Sequence, residues 1–377
     1  MSRVLFWGSL FFIVYAYWGY PIGLAFLSQF RNRPVRKAPI TPQATFIITA
    51  FNEETRIGEK LDNTLSLDYP AGQLQVIVAS DCSTDRTDEI VAKYVSHGVR
   101  LVRMQERKGK EYAQQQALEF ATGEVLIFSD VATILHPNAV RTIVANFADP
   151  TVGCVSSVDR FIDSDGAVSG EGAYVRYEMF LRGLESRVST LVGLSGSFFA
   201  ARREVCTDWR PHLQSDFNTV LNAVRLGLRG VSDAESVGYY KNISDERLEY
   251  ERKVRTVLRG ISVFMQSMAL VNPVRYGLFA WQLVSHKLCR WLVPFALIVF
   301  LVSNGFLQHE SHFYQMAFVC QVLFYGAALV GIVYRQVLWP AMVKLPSFFV
   351  LVNLSILAAW VRYLRGQRIV FWEPSKR

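Results

Sequence analysis

TFIITAFNEE, residues 45–54, runs a strand-forming stretch straight into Asn52, Glu53 and Glu54, and the same design returns along the next eighty or so positions. VIVAS (76–80) runs into Asp81, VRLVRM (99–104) follows, and VLIFSD (125–130) ends on Asp130. Between them, residues 57–67, 86–96 and 110–121 carry the wider apolar spacing of helices that pack on a sheet. Short β-rich runs alternating with such helices are how a mostly parallel α/β sheet is written. Ligands of these sheets bind beyond the C-terminal strand ends, so the residues to watch are Asn52, Glu53, Glu54, Asp81 and Asp130.

Outward from this half, the alternation loosens after Pro150, with strands expected near 152–158 and 196–201 and helices near 172–186 and 215–227. An acceptor side is expected there. From Leu248 the chain turns amphipathic and basic, with Arg252, Lys253, Arg255 and Arg259 among apolar residues, the pattern of a helix lying in a membrane interface.

The ends are more apolar still. Val4–Leu27 contains no charge and is long enough to cross a hydrocarbon core of ~30 Å at about 1.5 Å per residue. Arg31, Arg33, Arg36 and Lys37 follow at once, which argues against a cleaved signal peptide and puts that end of the span in the cytosol. Residues 291–307 and 313–334 read as two further spans joined by a loop without Lys or Arg. Arg335 and the tail cations Arg362, Arg365, Arg368, Lys376 and Arg377 then fall on the cytosolic side. Between these cations only Pro346 to Val361 is without charge, too short for two crossings, so residues 337–361 read as re-entrant or interfacial.

Composition agrees with a membrane-attached chain: 51% of the 377 residues are hydrophobic, 19% charged, and the net charge is +8. The cations gather beside the apolar segments, where anionic lipid head groups meet them, so membrane lipids and not nucleic acid are the expected partner. The five scattered cysteines lack the spacing of a zinc site or a disulfide scaffold and read as reduced thiols.

Asp81 and Asp85, in VIVASDCSTDRT, can accept hydrogen bonds from a base or ribose, or Ser83, Thr84 and Asp85 can simply cap the next helix. No G-x-G-x-x-G follows the first strand, which weakens a dinucleotide-binding reading. Taken together and in order, ITAFNEE (48–54), SDCSTDRT (80–87), RKGK (107–110), VLIFSDVATIL (125–135) and SDF (215–217) resemble a family 2 inverting glycosyltransferase of the cellulose synthase and poly-N-acetylglucosamine synthase type. The resemblance covers roughly residues 40–300 and rests on the motifs jointly.

It implies a nucleotide-diphosphosugar transferase (GT-A-like) domain. It also implies nucleotide binding by Glu54, Asp81 and Asp85, a diphosphate contact from Lys110, and Asp130 at the start of the metal motif. Asp216 is implied as the base that takes the acceptor proton, although Ser215 or Asp216 as a helix cap is an equally simple local reading. Ser195, Gly196 and Ser197 form an acceptor-facing loop or a plain turn. Two departures matter. The third metal-motif position is Ala132, so Mg²⁺ or Mn²⁺ is held by Asp130 with help from donor phosphates or His136, or Lys110 and arginines replace the ion. The Gln-x-x-Arg-Trp of processive synthases is matched by ERKVRT (251–256), where Arg255 stands for the arginine.

The expected organisation is an N-terminal transmembrane helix (1–30), a cytosolic glycosyltransferase domain (40–247), amphipathic interfacial helices (248–290), two transmembrane helices (291–334) and a re-entrant or interfacial segment with a basic tail (335–377). The expected activity is transfer of a sugar, UDP-linked by preference, to a glycan or lipid-linked acceptor during surface polysaccharide or glycolipid synthesis at the inner membrane. A processive synthase and a degenerate binding or scaffold subunit of a synthase complex are the alternatives.

Overall fold

The computed structural model describes residues 1–162, 173–241, 246–334 and 340–368. Arg335, Lys376 and Arg377, which the topology reading used, lie outside the described residues. The chain divides into two compact units. One is built from the described residues of 1–23, 245–262 and 281–368, and the other from those of 24–244 and 263–280.

The larger unit holds an eight-stranded mixed sheet. Its strands are β1 (Ala44–Ala50), β2 (Leu74–Ser80), β3 (Val99–Arg103), β4 (Val125–Asp130), β5 (Ile134–Leu135), β6 (Val152–Ile162), β7 (Phe198–Arg202) and β8 (Arg229–Lys241), in the order β3-β2-β1-β4-β7-β6-β8-β5. The strands read from the first half of the sequence, β3-β2-β1-β4, are parallel throughout. Every residue of β1 is buried, as a central strand covered on both faces requires. Register fixes the site: Ala50 pairs with Ser80 and Thr49 with Asp130, so Asn52, Asp81 and Asp130 leave the sheet side by side.

The mixed character comes from the second half. Strand β7 runs antiparallel between β4 and β6, and β6 pairs in parallel with β8. Neither β8 nor the two-residue β5 was expected from the sequence, nor was the helix Ala139–Ala145. In β8 the alternation is broken by Asp233, which is buried because Lys37, Asn146 and Ser236 all donate to its carboxylate. A buried carboxylate with such partners reads as loop in sequence and is strand in space.

Helices expected at 57–67, 110–121 and 215–227 form over Ile57–Leu65, Lys110–Leu118 and Ser215–Arg225. The expected helix at 86–96 is a short one, Thr87–Ala92, followed by a 3₁₀ turn at Val95–His97 that Gly98 closes in the left-handed region. The buried face of Ile57–Leu65 is Ile57, Lys60, Leu61 and Thr64, helical spacing with a lysine in it.

The smaller unit is helical. Among the described residues, four helices are long and apolar enough to cross a membrane: Ser2–Phe30, Leu278–Leu307, His312–Val333 and Ala341–Leu364. Two of them carry a π-helical turn, Tyr15–Gly19 and Val284–Cys289, and there the Tyr15 hydroxyl meets Ser285 Oγ at 2.7 Å while Trp281 Nε1 donates to it at 2.8 Å. Phe6 packs among the rings of Phe300, Phe313 and Tyr314, and the amides of Asn304 and Gln321 join two helices by a 2.8 Å hydrogen bond. The stretch expected to be re-entrant or interfacial contains the helix Ala341–Leu364. At its start a Cβ on Gly331 would meet Val343 and Ser347, and towards its end Trp360 Nε1 donates to the Trp291 carbonyl.

Candidate active site

Two strand ends are latched to each other before any ligand is considered. Asn52 and Cys82, each just past its strand, both take positive φ, 52° and 58°, a conformation that turns the chain sharply. Asn52 N–H donates to Ser83 Oγ, Glu53 N–H to Thr87 Oγ1, and Glu54 N–H to Asp85 Oδ2 at 3.0 Å. In return Asn52 Oδ1 accepts from Thr84 N–H at 2.8 Å. Motif ITAFNEE and motif SDCSTDRT are therefore one structural piece.

Asp85 uses both oxygens inside that piece, since Oδ1 also accepts from Thr87 N–H and Thr87 Oγ1. Burial opposes its charge, but the bonds from Thr87 and Glu54 outweigh that and hold its carboxyl below the usual range. Of the two sequence readings of Asp85, its geometry displays the helix-start role. Glu54 Oε2 accepts from the backbone and side chain of Arg86 at 3.2 and 3.1 Å.

Asp81 is fully buried and grips the neighbouring loop: its oxygens accept from Lys108 N–H at 2.8 Å and Gly109 N–H at 2.9 Å. Burial pushes its carboxyl above the ordinary value, against the pull of those backbone bonds. Gly109 sits at φ 97° immediately before the helix Lys110–Leu118, so the grip of Asp81 sets where Lys110 starts. Beside this loop the Arg107 guanidinium lies 3.8 Å from the Phe51 ring centroid.

Lys110 Nζ reaches Asp130 Oδ1 at 2.5 Å and the Gly196 carbonyl at 3.1 Å. Asp130 N–H donates to the Ser197 carbonyl, tying the end of β4 to the Ser195–Ser197 loop. That loop is fixed from behind by Asp159, which accepts from Ser195 Oγ at 2.5 Å and from Ser197 Oγ. On its other side stands Asp216, in the first turn of the helix Ser215–Arg225. A Cβ on Gly196 would lie 2.7 Å from Asp216 Oδ2, and Asp216 also accepts from Phe217 N–H and from Gln214 Nε2. Glu111, next to Lys110, accepts from Ser215 N–H at 3.4 Å at the start of the same helix.

The structure thus brings Glu54, Asp81 and Asp85 together at one edge, and Lys110, Asp130 and Asp216 around Gly196. Arg255 lies on the helix Glu246–Met265, in the part that belongs to the smaller unit. Three residues of the site were not read from sequence. Asp159 lies in an ordinary-looking strand and Glu111 beside a motif lysine. Lys60, fully buried, donates to Ser129 Oγ at 2.8 Å and to the Thr133 carbonyl at 2.6 Å. Burial pulls its ammonium down to about 7, against the upward pull of Asp130.

Among the described residues no three His, Cys, Asp or Glu side chains gather as a metal shell. Ala132 offers no ligand atom, and His136 turns Nδ1 to Asn138 Oδ1 at 2.7 Å. The side chains present fit an ion anchored by the single carboxylate of Asp130 and otherwise coordinated by a donor's phosphates and water.

Residues 45–209 match the family model described as glycosyl transferase family 2. Poly-beta-1,6-N-acetyl-D-glucosamine synthases of Staphylococcus aureus and Staphylococcus epidermidis are 28% and 25% identical over 170 residues, 44% of this chain and 40% of theirs. The aligned part thus spans well under half of those relatives. A mannosyltransferase from Pyrobaculum calidifontis, solved in complex with GDP-Man and Mn²⁺, superposes with a TM-score of 0.74 at 22% identity, covering 98% of this chain and all of that one. The motifs, the sheet and these likenesses agree: residues 45–209 are similar to glycosyl transferase family 2, and the chain has a GT-A-like fold.

Proposed function

We propose that this chain transfers a sugar, with inversion, from a nucleotide diphosphate sugar to an acceptor hydroxyl. The observation that carries the reading is the convergence on Gly196, where Lys110 holds the carbonyl from one side and Asp216 crowds the Cα from the other. A cation for the departing diphosphate and a base for the acceptor then serve one space. The acceptor proton goes to Asp216, the acceptor oxygen bonds to the anomeric carbon, and the bond to the diphosphate oxygen breaks on the opposite face. Glu54, Asp81 and Asp85 order the nucleotide end, and Arg255 is assigned to the diphosphate. The test is Asp216→Asn in the purified full chain: transfer should fall at least 1,000-fold, on the order expected for losing a general base together with its charge, while donor affinity stays within about threefold. Turnover near wild type would remove Asp216 from the role.

Donor and acceptor follow from the same reading. The donor is UDP-linked and the acceptor is a glycan or a lipid-linked saccharide, in cell-surface polysaccharide or glycolipid synthesis. The named function of the staphylococcal relatives favours a second reading, processive synthesis, and the length of product made from a supplied donor separates the two. Mg²⁺ or Mn²⁺, when bound with the donor, would neutralise charge gathering on the diphosphate. A chelator should therefore abolish transfer, and calorimetry without nucleotide should detect little metal affinity. Activity indifferent to EDTA would leave Lys110 and Arg255 as the source of positive charge.

The catalytic domain is assigned to the cytosolic side of the inner membrane. Helices Leu278–Leu307 and His312–Val333 are joined by a short turn, so Trp291 and Gly331 lie towards the same side of that hairpin. Helix Ala341–Leu364 meets Gly331 with Val343 and Ser347 and meets Trp291 with Trp360. Contacts of both its ends with one side of the hairpin support the re-entrant or interfacial reading of this helix, and the tail is assigned to the cytosolic side by its cations.

A further inference from the structure

Lys60 stands where an apolar residue is expected, on the buried face of the helix Ile57–Leu65 beside Phe46, whose ring centroid is 5.3 Å from Nζ. The side chain is 0% exposed, and among the described residues no carboxylate forms an ion pair with it. Burying an ammonium without a counter-ion costs several kcal/mol, and a methionine or leucine of similar length would avoid that cost. The fold therefore gains little from the charge as such.

What Lys60 holds is specific. Its two acceptors, Ser129 Oγ and the Thr133 carbonyl, flank the segment Asp130–Ala132. Thr133 N–H closes that segment on the Asp130 carbonyl at 3.2 Å, and Asn63, one turn along from Lys60, takes both the N–H and the carbonyl of Leu135 at 2.9 Å. One helix thus grips the whole strand-end turn from beneath, with a cation under its carboxylate-bearing part. Within the turn Ala132 supplies no ligand atom, and Asp130 is the one acid among residues 130–133.

We propose that Lys60 is a positioning residue for the donor diphosphate: it pins the Asp130–Thr133 turn and places positive charge behind it, offsetting the absence of a carboxylate at Ala132. The inference rests on the transferase reading above. Removing the side chain costs the fold two hydrogen bonds but spares it a buried charge, so stability should change little while diphosphate binding falls.

The experiment is Lys60→Met in the full chain, purified in detergent with Mg²⁺ present. Thermal unfolding is followed alongside binding of UDP, GDP and the corresponding monophosphates, and transfer. The variant should unfold within a few degrees of wild type, relief of the buried charge offsetting the two lost hydrogen bonds, yet bind the diphosphate that wild type prefers about tenfold more weakly, with a smaller loss for the monophosphate. Its transfer efficiency should fall by at least as much. A variant that unfolds far below wild type or cannot be recovered, or one that binds diphosphate as wild type does, overturns the proposal and makes Lys60 a fold residue. Failure of wild type itself to bind either diphosphate would instead refute the transferase reading.

Discussion

At Gly196 the fold leaves no room for a methyl group on the side where the proposed base stands. The added Cβ of Gly196→Ala would sit 2.7 Å from Asp216 Oδ2, and the atom that has to give is the end of a short side chain, not backbone. The fold should tolerate the change, with a melting temperature within a few degrees of wild type. The base should not, because a displacement near 1 Å is enough to cost transfer roughly 10- to 100-fold. Initial rates at saturating donor, set beside nucleotide affinity that should be unchanged, check this; a wild-type rate would mean that Asp216 acts from elsewhere. The same scale explains why Asp81 and Asp85 were ambiguous in sequence. A carboxylate that latches loops and a carboxylate that meets a ligand are written with the same letter, and here the backbone N–H groups of Lys108, Gly109, Glu54 and Thr87 already occupy their oxygens.

Among the elements, β8 is the one that the second half of the sheet depends on and the one that its sequence conceals. Asp233 is 3% exposed and collects Lys37, Asn146, Ser236 and the Glu235 N–H, joining β8 to the segment before β1 and to the end of the helix Ala139–Ala145. Asp233→Ala leaves the Glu235 N–H and Ser236 hydroxyl without this acceptor and reduces Lys37 to Glu235 and Asn146 to its helix carbonyls, and should destabilise the larger unit by about 3 kcal/mol. Chemical denaturation of the purified protein is the measurement, with loss below about 1 kcal/mol as the result that would show the network to be dispensable. By contrast β1, β2 and β4 announce themselves, because a strand covered on both faces must be apolar throughout and no polar partner is needed to complete it.

For the whole molecule the open prediction is the side of the membrane on which the chain ends. With the native cysteines replaced, a cysteine at Ser375 should be silent to an impermeant thiol reagent on intact cells and label once the membrane is opened. Labelling from outside would make Ala341–Leu364 a crossing and place the tail cations against the positive-inside tendency. By itself the sequence determined the parallel half-sheet, the strand ends that carry Glu54, Asp81 and Asp130, the likeness to family 2 glycosyltransferases, and the apolar helices, because each of these is set by local periodicity or by short motifs whose residues are close in the chain. Tertiary structure alone decided that Lys110, Asp130, Gly196 and Asp216 meet, that Asp159 holds the loop between them, and that a lysine is buried under Asp130. Those contacts join residues far apart in the chain across a sheet whose second half runs in both directions, and no local pattern encodes a partner that only the strand order brings near.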